Sequence, residues 1–466
     1  FRAGRPVLYN HRAQLNYRLP FEYFPYLDFI NAEVSYQFQY NWSARSTGVR
    51  NVVFNGNTEN LGNISQNTNE IRATSTVDIP KFFGKFDYFR KINDKMQKRR
   101  QEIDSLNNVY NTAFTKKNSR FKFKSYKFKN KLTPIQAAAY ALTSFKQLDF
   151  NYSENNGIVL PGLLSAPNFY GYGQTLGGPT IGFLLGSQAD IRRTVIENGW
   201  LSNSNLMNDA YSELNNKTFT GNLQIMPAND LRIDFNVLQT YSRNYIQGGY
   251  NVDADITRDG FQFSFGTELI TYSNTAWTFN TAFKDGTALY QSIKENALAI
   301  SQQYEGIRDR EGFTAGYSRS NAYVLIPAFQ AAIEGKSPKK MGNPTKAGTP
   351  LPNWKLVYSG LRNIPIINSQ FSKFDILHSY VSTSTTSGVQ SSIDYYNRNI
   401  NDLSTVYDTN GNRYNPYTVT QVGYVEAFYP LVGFDVTMRN NMQFRFNYNR
   451  DRTYLLGLVN TTLTEE

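Results

Sequence analysis

Chemistry needs nucleophiles, bases or metal ligands at workable spacing, and this chain supplies few. It holds two histidines, His11 and His378, and no cysteine among 466 residues. That composition excludes disulfides, thiolate zinc sites, iron–sulfur clusters and cysteine nucleophiles together, and leaves too few imidazoles for a multi-histidine metal centre. His378 sits in the strand-like run FDILHSYVSTS without a partnering nucleophile or acid, so a satisfied structural histidine is expected. Gly171, Gly173 and Gly177 miss the dinucleotide-binding spacing by one residue. The EGKS run at 334–337 looks like the end of a phosphate loop, but Gln330 stands where the upstream glycine is required. Asp408, Asn410 and Asn412 have calcium-loop spacing, yet Val419 occupies the twelfth position, and a turn is the simpler reading. Asp253, Asp255 and Asp259 read as an exposed acidic loop. The sequence therefore gives no catalytic residue, metal site or cofactor site, and a non-enzymatic role is expected.

The charge that remains is local. Residues 81–131 carry 16 Lys and Arg against four Asp and Glu, or +12, while the rest carries 32 against 33, or −1. Arg99, Arg100, Lys122, Lys124 and Lys127 form the candidate basic surface or partner patch. Lys–aromatic interleaving can suit a single-strand groove, but no nucleic-acid module accompanies it, so no nucleic-acid partner is expected. A headgroup-facing or solvated extension fits better.

The elements that must position these residues show a dominant period of two. In NAEVSYQFQYNW, Val34, Tyr36, Phe38 and Tyr40 share one face, and Ser35, Gln37 and Gln39 share the other. The pattern recurs at Ala13–Phe21, Ile71–Ile79, Leu231–Val237, Phe261–Phe265 and Phe434–Tyr448, with Asn440-Asn441 marking a tight hairpin. Aromatics make up 15% of the chain and charges 18%, with no apolar run long enough for a helical span. An aromatic face opposite a Gln/Asn/Ser/Thr face suits a sheet with lipid on one side and water on the other. The fold expected is an all-β membrane protein. Its architecture would be an antiparallel transmembrane β-barrel wall of about 12 strands, each near the ~9–11 residues a tilted span needs, with helical and loop insertions. Val34, Tyr36, Phe38 and Tyr40 are then candidate lipid-facing residues, and Ser35, Gln37 and Gln39 candidate lumen-facing ones. The organisation expected is strands over 1–80, a basic, partly helical insertion over 81–145, and strands over 146–466 with long loops at 161–216, 284–350 and 397–417. Helices are expected near 81–108, 133–145, 190–199 and 288–304.

Several segments carry a family resemblance: LDFNYSENNGIVLPG (148–162), LGGPTIGFLLGSQ (176–188), LRIDFNVLQTYSRNY (231–245), GYSRSNAYVLIPAFQAAIEGK (316–336), LPNWKLVYSGL (351–361), FDILHSYVSTS (374–384) and YPLVGFDVTMRNNMQFRFNYNR (429–450). In order and across nearly the whole chain, they resemble the SprA/Sov family, the outer-membrane translocons of the Bacteroidetes type IX secretion system. The resemblance implies a slice of a very large barrel, on the order of 36 strands. It further implies export of folded cargo bearing a C-terminal signal, in the outer membrane of a Gram-negative cell. The implied partners are a PorV-type shuttle protein at a lateral opening, a plug protein, membrane lipid and the remaining strands of the same barrel. A TonB-dependent uptake receptor and a surface adhesin of soluble sheets are the alternatives. Because long insertions of bacterial barrels usually face outward, the basic insertion is expected on the extracellular side, with a periplasmic docking arm for an acidic partner as the alternative.

Overall fold

The computed structural model describes residues 6–115, 132–173, 178–202, 204, 206–228, 230–248, 266–279, 281–284, 286–340, 348–396, 398 and 406–465. The Phe261–Phe265 alternation and Asp253, Asp255 and Asp259 lie outside them, as do Lys122, Lys124 and Lys127.

Period-two patterning becomes strand almost wherever it occurs. The strands are β1 (Leu8–Arg18), β2 (Ile30–Ser43), β3 (Asn51–Phe54), β4 (Asn57–Asn60), β5 (Asn63–Asp78), β6 (Phe145–Leu163), β7 (Ala210–Ala228) and β8 (Leu231–Gly248). They continue with β9 (Thr267–Thr275), β10 (Asn353–Tyr358), β11 (Phe371–Ser391), β12 (Tyr417–Thr418), β13 (Gln421–Met438), β14 (Gln443–Gly457) and β15 (Thr462–Glu465). All but the β3–β4 hairpin join one 13-stranded sheet in which every ladder is antiparallel. Its order is β1-β2-β5-β6-β7-β8-β10-β11-β13-β14-β15, and no ladder joins the two edges among the described residues. The architecture is therefore a large antiparallel sheet, and no helix among the described residues is long and apolar enough to cross a membrane.

Between β8 and β11 the sheet holds two short strands end to end. β9 pairs with Gln239–Ile246 of β8 and with Thr383–Gln390 of β11, while β10 pairs with Leu231–Asn236 and with Ile376–Tyr380. One strand position is thus split at mid-height, and the chain between Thr275 and Asn353 leaves the sheet there and returns. The break satisfies its backbone groups: Thr278 N–H donates to the Tyr380 hydroxyl at 2.9 Å, Ser382 N–H to Asn353 Oδ1 at 2.9 Å, and Ala276 N–H to the Ser382 carbonyl at 3.1 Å. Register shifts in β11 between Leu377 and Val381, and in β13 between Phe428 and Val432, fall beside it, as bulges do where a sheet bends.

The principal strands are longer than expected, 14–21 residues in β2, β5–β8, β11, β13 and β14. The reason is that insertions cover one face of one half. The segment between β6 and β7 buries Tyr40, Trp42, Ile158, Leu160 and Tyr211 beneath Phe183, Leu184, Val195 and Met207. Helices Gly286–Ser301 and Ala322–Glu334 bury Tyr272, Val422, Tyr424, Tyr454 and Leu456 beneath Ile293, Ala297, Phe329 and Ile333. The second helix begins at Asn321, whose side chain accepts from Tyr323 N–H, and ends at Gly335 in the left-handed conformation, φ 66°. Its apolar run AYVLIPAFQAAIE has no clear polar face and carries Pro327, so it does not read as a helix. The expected helices at 81–108, 133–145, 190–199 and 288–304 correspond to Ile79–Gly84 with Asp87–Thr115, Pro134–Leu142, Arg192–Glu197 and Gly286–Ser301.

Candidate functional site: an uncovered apolar belt

Cross-strand register defines two faces along the whole sheet. On one ladder line Val34 pairs with Ala73, Ala73 with Tyr152, Tyr152 with Phe219 and Phe219 with Gln239. This line lies level with the break between β9 and β10. Below it, on the same face, follow Val77, Leu148, Leu223 and Phe235, which pair in sequence and meet Trp354 of β10. Beyond β10 the face continues through Leu356 and His378, then Tyr358, Ile376, Phe434 and Phe446. Among the described residues no insertion buries this half. Val34 is 39% exposed, Phe150 38%, and Phe444, Phe446 and Tyr448 more than half. From Phe145 to Tyr152 or from Leu231 to Gln239 the belt is eight or nine residues tall, roughly 20 Å for a tilted strand.

Both rims of the belt are aromatic. At the strand break Phe279 stacks on Tyr380 with centroids 4.4 Å apart, and Trp277, Trp354 and Phe428 surround them. At the other rim lie exposed Tyr23, Phe24, Tyr26, Phe86 and Tyr88, with Ile366 and Met442. Just above the break the same face turns charged. Glu154 accepts from Tyr152, Asn156 and Asn215 at 2.6–3.3 Å, and Arg243 bridges Glu213 and Glu268.

The opposite face is mostly polar, with Leu214, Ile246, Leu269, Val381 and Val425 as exposed apolar exceptions at and above the break. Arg12 donates to Gln37, and Gln39 to Asn41 at 3.0 Å. Glu70 pairs with Arg72, Arg232 lies 2.9 Å from Asp234, and Asp435 gathers Lys373 at 2.8 Å and Arg445 at 3.2 Å. Charges on this face are thus paired within a strand, as in β5 and β8, or across neighbouring strands, as Asp435 of β13 is with Lys373 of β11 and Arg445 of β14.

The structure keeps the predicted alternation in β2 but changes what its apolar side meets. Val34 is exposed at the level of the break. Tyr36 donates its hydroxyl to the Leu185 carbonyl at 2.8 Å, and Phe38 is half-buried. Tyr40 is 0% exposed, sealed by Phe183 with ring centroids 6.1 Å apart, so it does not meet lipid. That expectation is corrected: β2 runs past the uncovered belt into the half where the segment between β6 and β7 lies on the sheet. Gly186 allows this close approach, since a Cβ there would stand 2.6 Å from that of Phe38, and its φ of 84° suits glycine. Ser35, Gln37 and Gln39 occupy the opposite, polar face, as their alternation requires.

The covering segment is pinned by a clamp that composition does not reveal. Arg192 is bound by Asp190 at 2.6 Å, donates to Gln247 and lies 4.3 Å over the Tyr211 ring. Burial alone would raise the Asp190 carboxyl, but hydrogen bonds from the Arg192 side chain and backbone, and its charge, outweigh this and hold it below its ordinary value.

The remaining chemical candidates stay apart. His11 hydrogen-bonds the Leu184 carbonyl and His378 the Leu431 carbonyl, each at 2.8 Å. Asp408 Oδ1 accepts from the N–H groups of Asn410 and Asn412 at 2.8 and 2.7 Å, a local turn. Glu334 accepts from the buried Tyr424 hydroxyl at 2.7 Å, and Gly335 caps a helix, so that run is a helix end. Among the described residues no three His, Cys, Asp or Glu gather as metal ligands. Arg99 lies half-buried on the helix Asp87–Thr115, and Arg100 is on the same helix.

Comparison with protein-family models found no match to the chain, and a search of curated proteins found none.

Proposed function

We propose that this chain is a wall section of a large transmembrane β-barrel that conducts proteins across the bacterial outer membrane, as in the type IX translocons of the SprA/Sov family. The observation that carries the membrane part is the uncovered apolar belt. It is aromatic at both rims, roughly 20 Å tall, and backed by a polar face, as a lipid-facing wall around a watery lumen requires. A soluble sheet of this size would have its apolar face covered over its full height, because exposed apolar patches beyond a few hundred Å² are rare on soluble monomers. Here the insertions cover only the other half. Among the described residues β1 and the lower part of β14 have no outer partner, which supports continuation of the wall, since unpaired backbone groups cannot face lipid.

The protein-conducting role rests on the resemblance. On that reading folded cargo with a C-terminal signal crosses the lumen, a PorV-type shuttle protein and a plug protein attend the pore, and no catalytic step occurs in the wall. In-cell substitution tests it. Phe150→Lys with Phe219→Lys should abolish secretion of C-terminally signalled cargo. Loss of nutrient uptake with secretion intact would favour a TonB-dependent receptor, and recovery of the chain from cells in plain buffer would favour an adhesin.

A further inference from the structure

The connections at the two ends of the sheet differ in length. At the end reached by Arg18, Asp78, Ala228, Tyr358 and Met438, four of the five connections are short: residues 19–29, 229–230, 359–370 and 439–442. Of the five connections at the opposite end, four are longer, residues 44–62, 164–209, 249–266 and 392–420, and one is short, residues 458–461. The basic insertion, 79–144, leaves from the short-turn end. Bacterial barrels place short turns on the periplasmic side. The sequence-based expectation of an extracellular insertion is thereby reversed on the wall reading, on which this inference rests.

The insertion also lies across the strands. Asp78 caps the first turn of the helix Ile79–Gly84 by accepting from Lys81 N–H. Lys85 pairs with Asp28 and lies 5.7 Å from the centroid of the Phe29 ring, which ties the insertion to the β1–β2 turn. The helix Asp87–Thr115 then reaches the helix Pro365–Gln370 in the β10–β11 connection. Those attachments are six strand positions apart, roughly 29 Å, and 29 residues of helix span about 43 Å. A helix joining them runs along the rim, across the strands. Ile92 is buried, and Lys95 donates to Gln136 of the helix Pro134–Leu142 at 3.1 Å. Arg90, Lys91 and Lys98 remain exposed, as do the rim aromatics Phe86, Tyr88, Tyr23 and Tyr26. Residues 81–99 hold seven basic side chains against two acidic ones.

We propose that this helix is an interfacial element that docks on anionic lipid headgroups of the leaflet at the short-turn rim. Charge complementarity selects the headgroup, and the aromatics beside the lysines select lipid over an acidic protein, because Tyr and Phe at the edge of an apolar belt settle at headgroup level. On this proposal the exposed lysine stems would lie over the rim aromatics with their charges at the headgroups, as Lys85 already lies over Phe29.

The chain has no cysteine, so one reporter can be placed at will. The full chain carrying Lys98→Cys with an environment-sensitive fluorophore is reconstituted in phosphatidylcholine nanodiscs, with and without phosphatidylglycerol. A blue shift that depends on phosphatidylglycerol is expected, reversed by high salt and absent for a Glu197→Cys reporter at the other end of the sheet. Lys91→Gln should weaken the apparent affinity about fivefold, the equivalent of one basic residue at an anionic surface. Emission unchanged by phosphatidylglycerol overturns the proposal, and a shift produced instead by an acidic periplasmic protein would assign the surface to that protein. Labelling of Lys98→Cys in intact cells by an impermeant maleimide would also overturn it. Failure of the chain to resist alkaline carbonate extraction is a separate result that removes the wall reading and this inference with it.

Discussion

At the scale of single residues, one position on the ladder decides the environment. Phe150 and Asn151 are neighbours in β6, yet the register puts Phe150 on the uncovered apolar face and Asn151 on the polar face beside Thr220, 3.3 Å away. Lysine at Phe150 should cost about 2–4 kcal/mol of assembly stability, whereas lysine at Asn151 should cost about 1 kcal/mol or less. Urea titration of the full chain in lipid vesicles measures both. The Arg192 clamp gives a second prediction. Asp190 titrates below its ordinary value when folded, so its contribution is complete above the unfolded-state value and is lost as the pH falls through the lowered one. Proteolysis between β6 and β7 should therefore accelerate on acidification below about pH 4, and Asp190→Asn should remove that pH dependence. The two histidines give a third. Each meets one backbone carbonyl, so on the proposed reading His11→Gln with His378→Gln should leave transport intact in correctly assembled protein.

At the scale of elements, the split strand explains how a polar chain can carry helices on a sheet. β9 stops at Thr275 and β10 resumes at Asn353, so the chain exits where Trp277, Phe279 and Trp354 close the gap. Phe329, fully buried against Tyr424, anchors the helix pair to the sheet. Phe329→Ala should cost about 3–5 kcal/mol and loosen the pair, read as faster amide exchange in Gly286–Ser301 and Ala322–Glu334 with the β5–β8 ladders unchanged. The strands are legible in the sequence because alternation is a local signal, and Asn440-Asn441 reads as a hairpin because Asn441 can adopt its φ of 65°. What covers an alternating face is not local. Tyr36 and Tyr40 look alike in sequence, but only the fold lays Phe183 and Leu184 on Tyr40, which is why the lipid-facing expectation fails there. The helix Ala322–Glu334 escapes for a related reason, being apolar all round because it is buried on several sides. The flanking Asn321 and Gly335 are its available signals.

At the scale of the molecule, the two halves of the sheet do different work. The half above the break is thick, with insertions over its apolar face and an ionic row where they begin. The half below is one strand layer thick, apolar on one side and polar on the other, ending in short turns and a basic helix along the rim. On the proposed reading, this asymmetry corresponds to a wall anchored in a bilayer and extended beyond it on one side. Site-directed spin labelling along β6, in the full chain reconstituted in lipid, tests that claim most directly. Oxygen accessibility should alternate with period two from Gln147 to Tyr152, with maxima at Leu148, Phe150 and Tyr152. Accessibility to a water-soluble nickel chelate should peak instead at Gln147, Asp149 and Asn151. Beyond Asn156, both probes should lose access on the apolar side, where the segment between β6 and β7 covers Ile158 and Leu160. Oxygen and nickel accessibilities that are equal on both faces between Gln147 and Tyr152 would contradict the account.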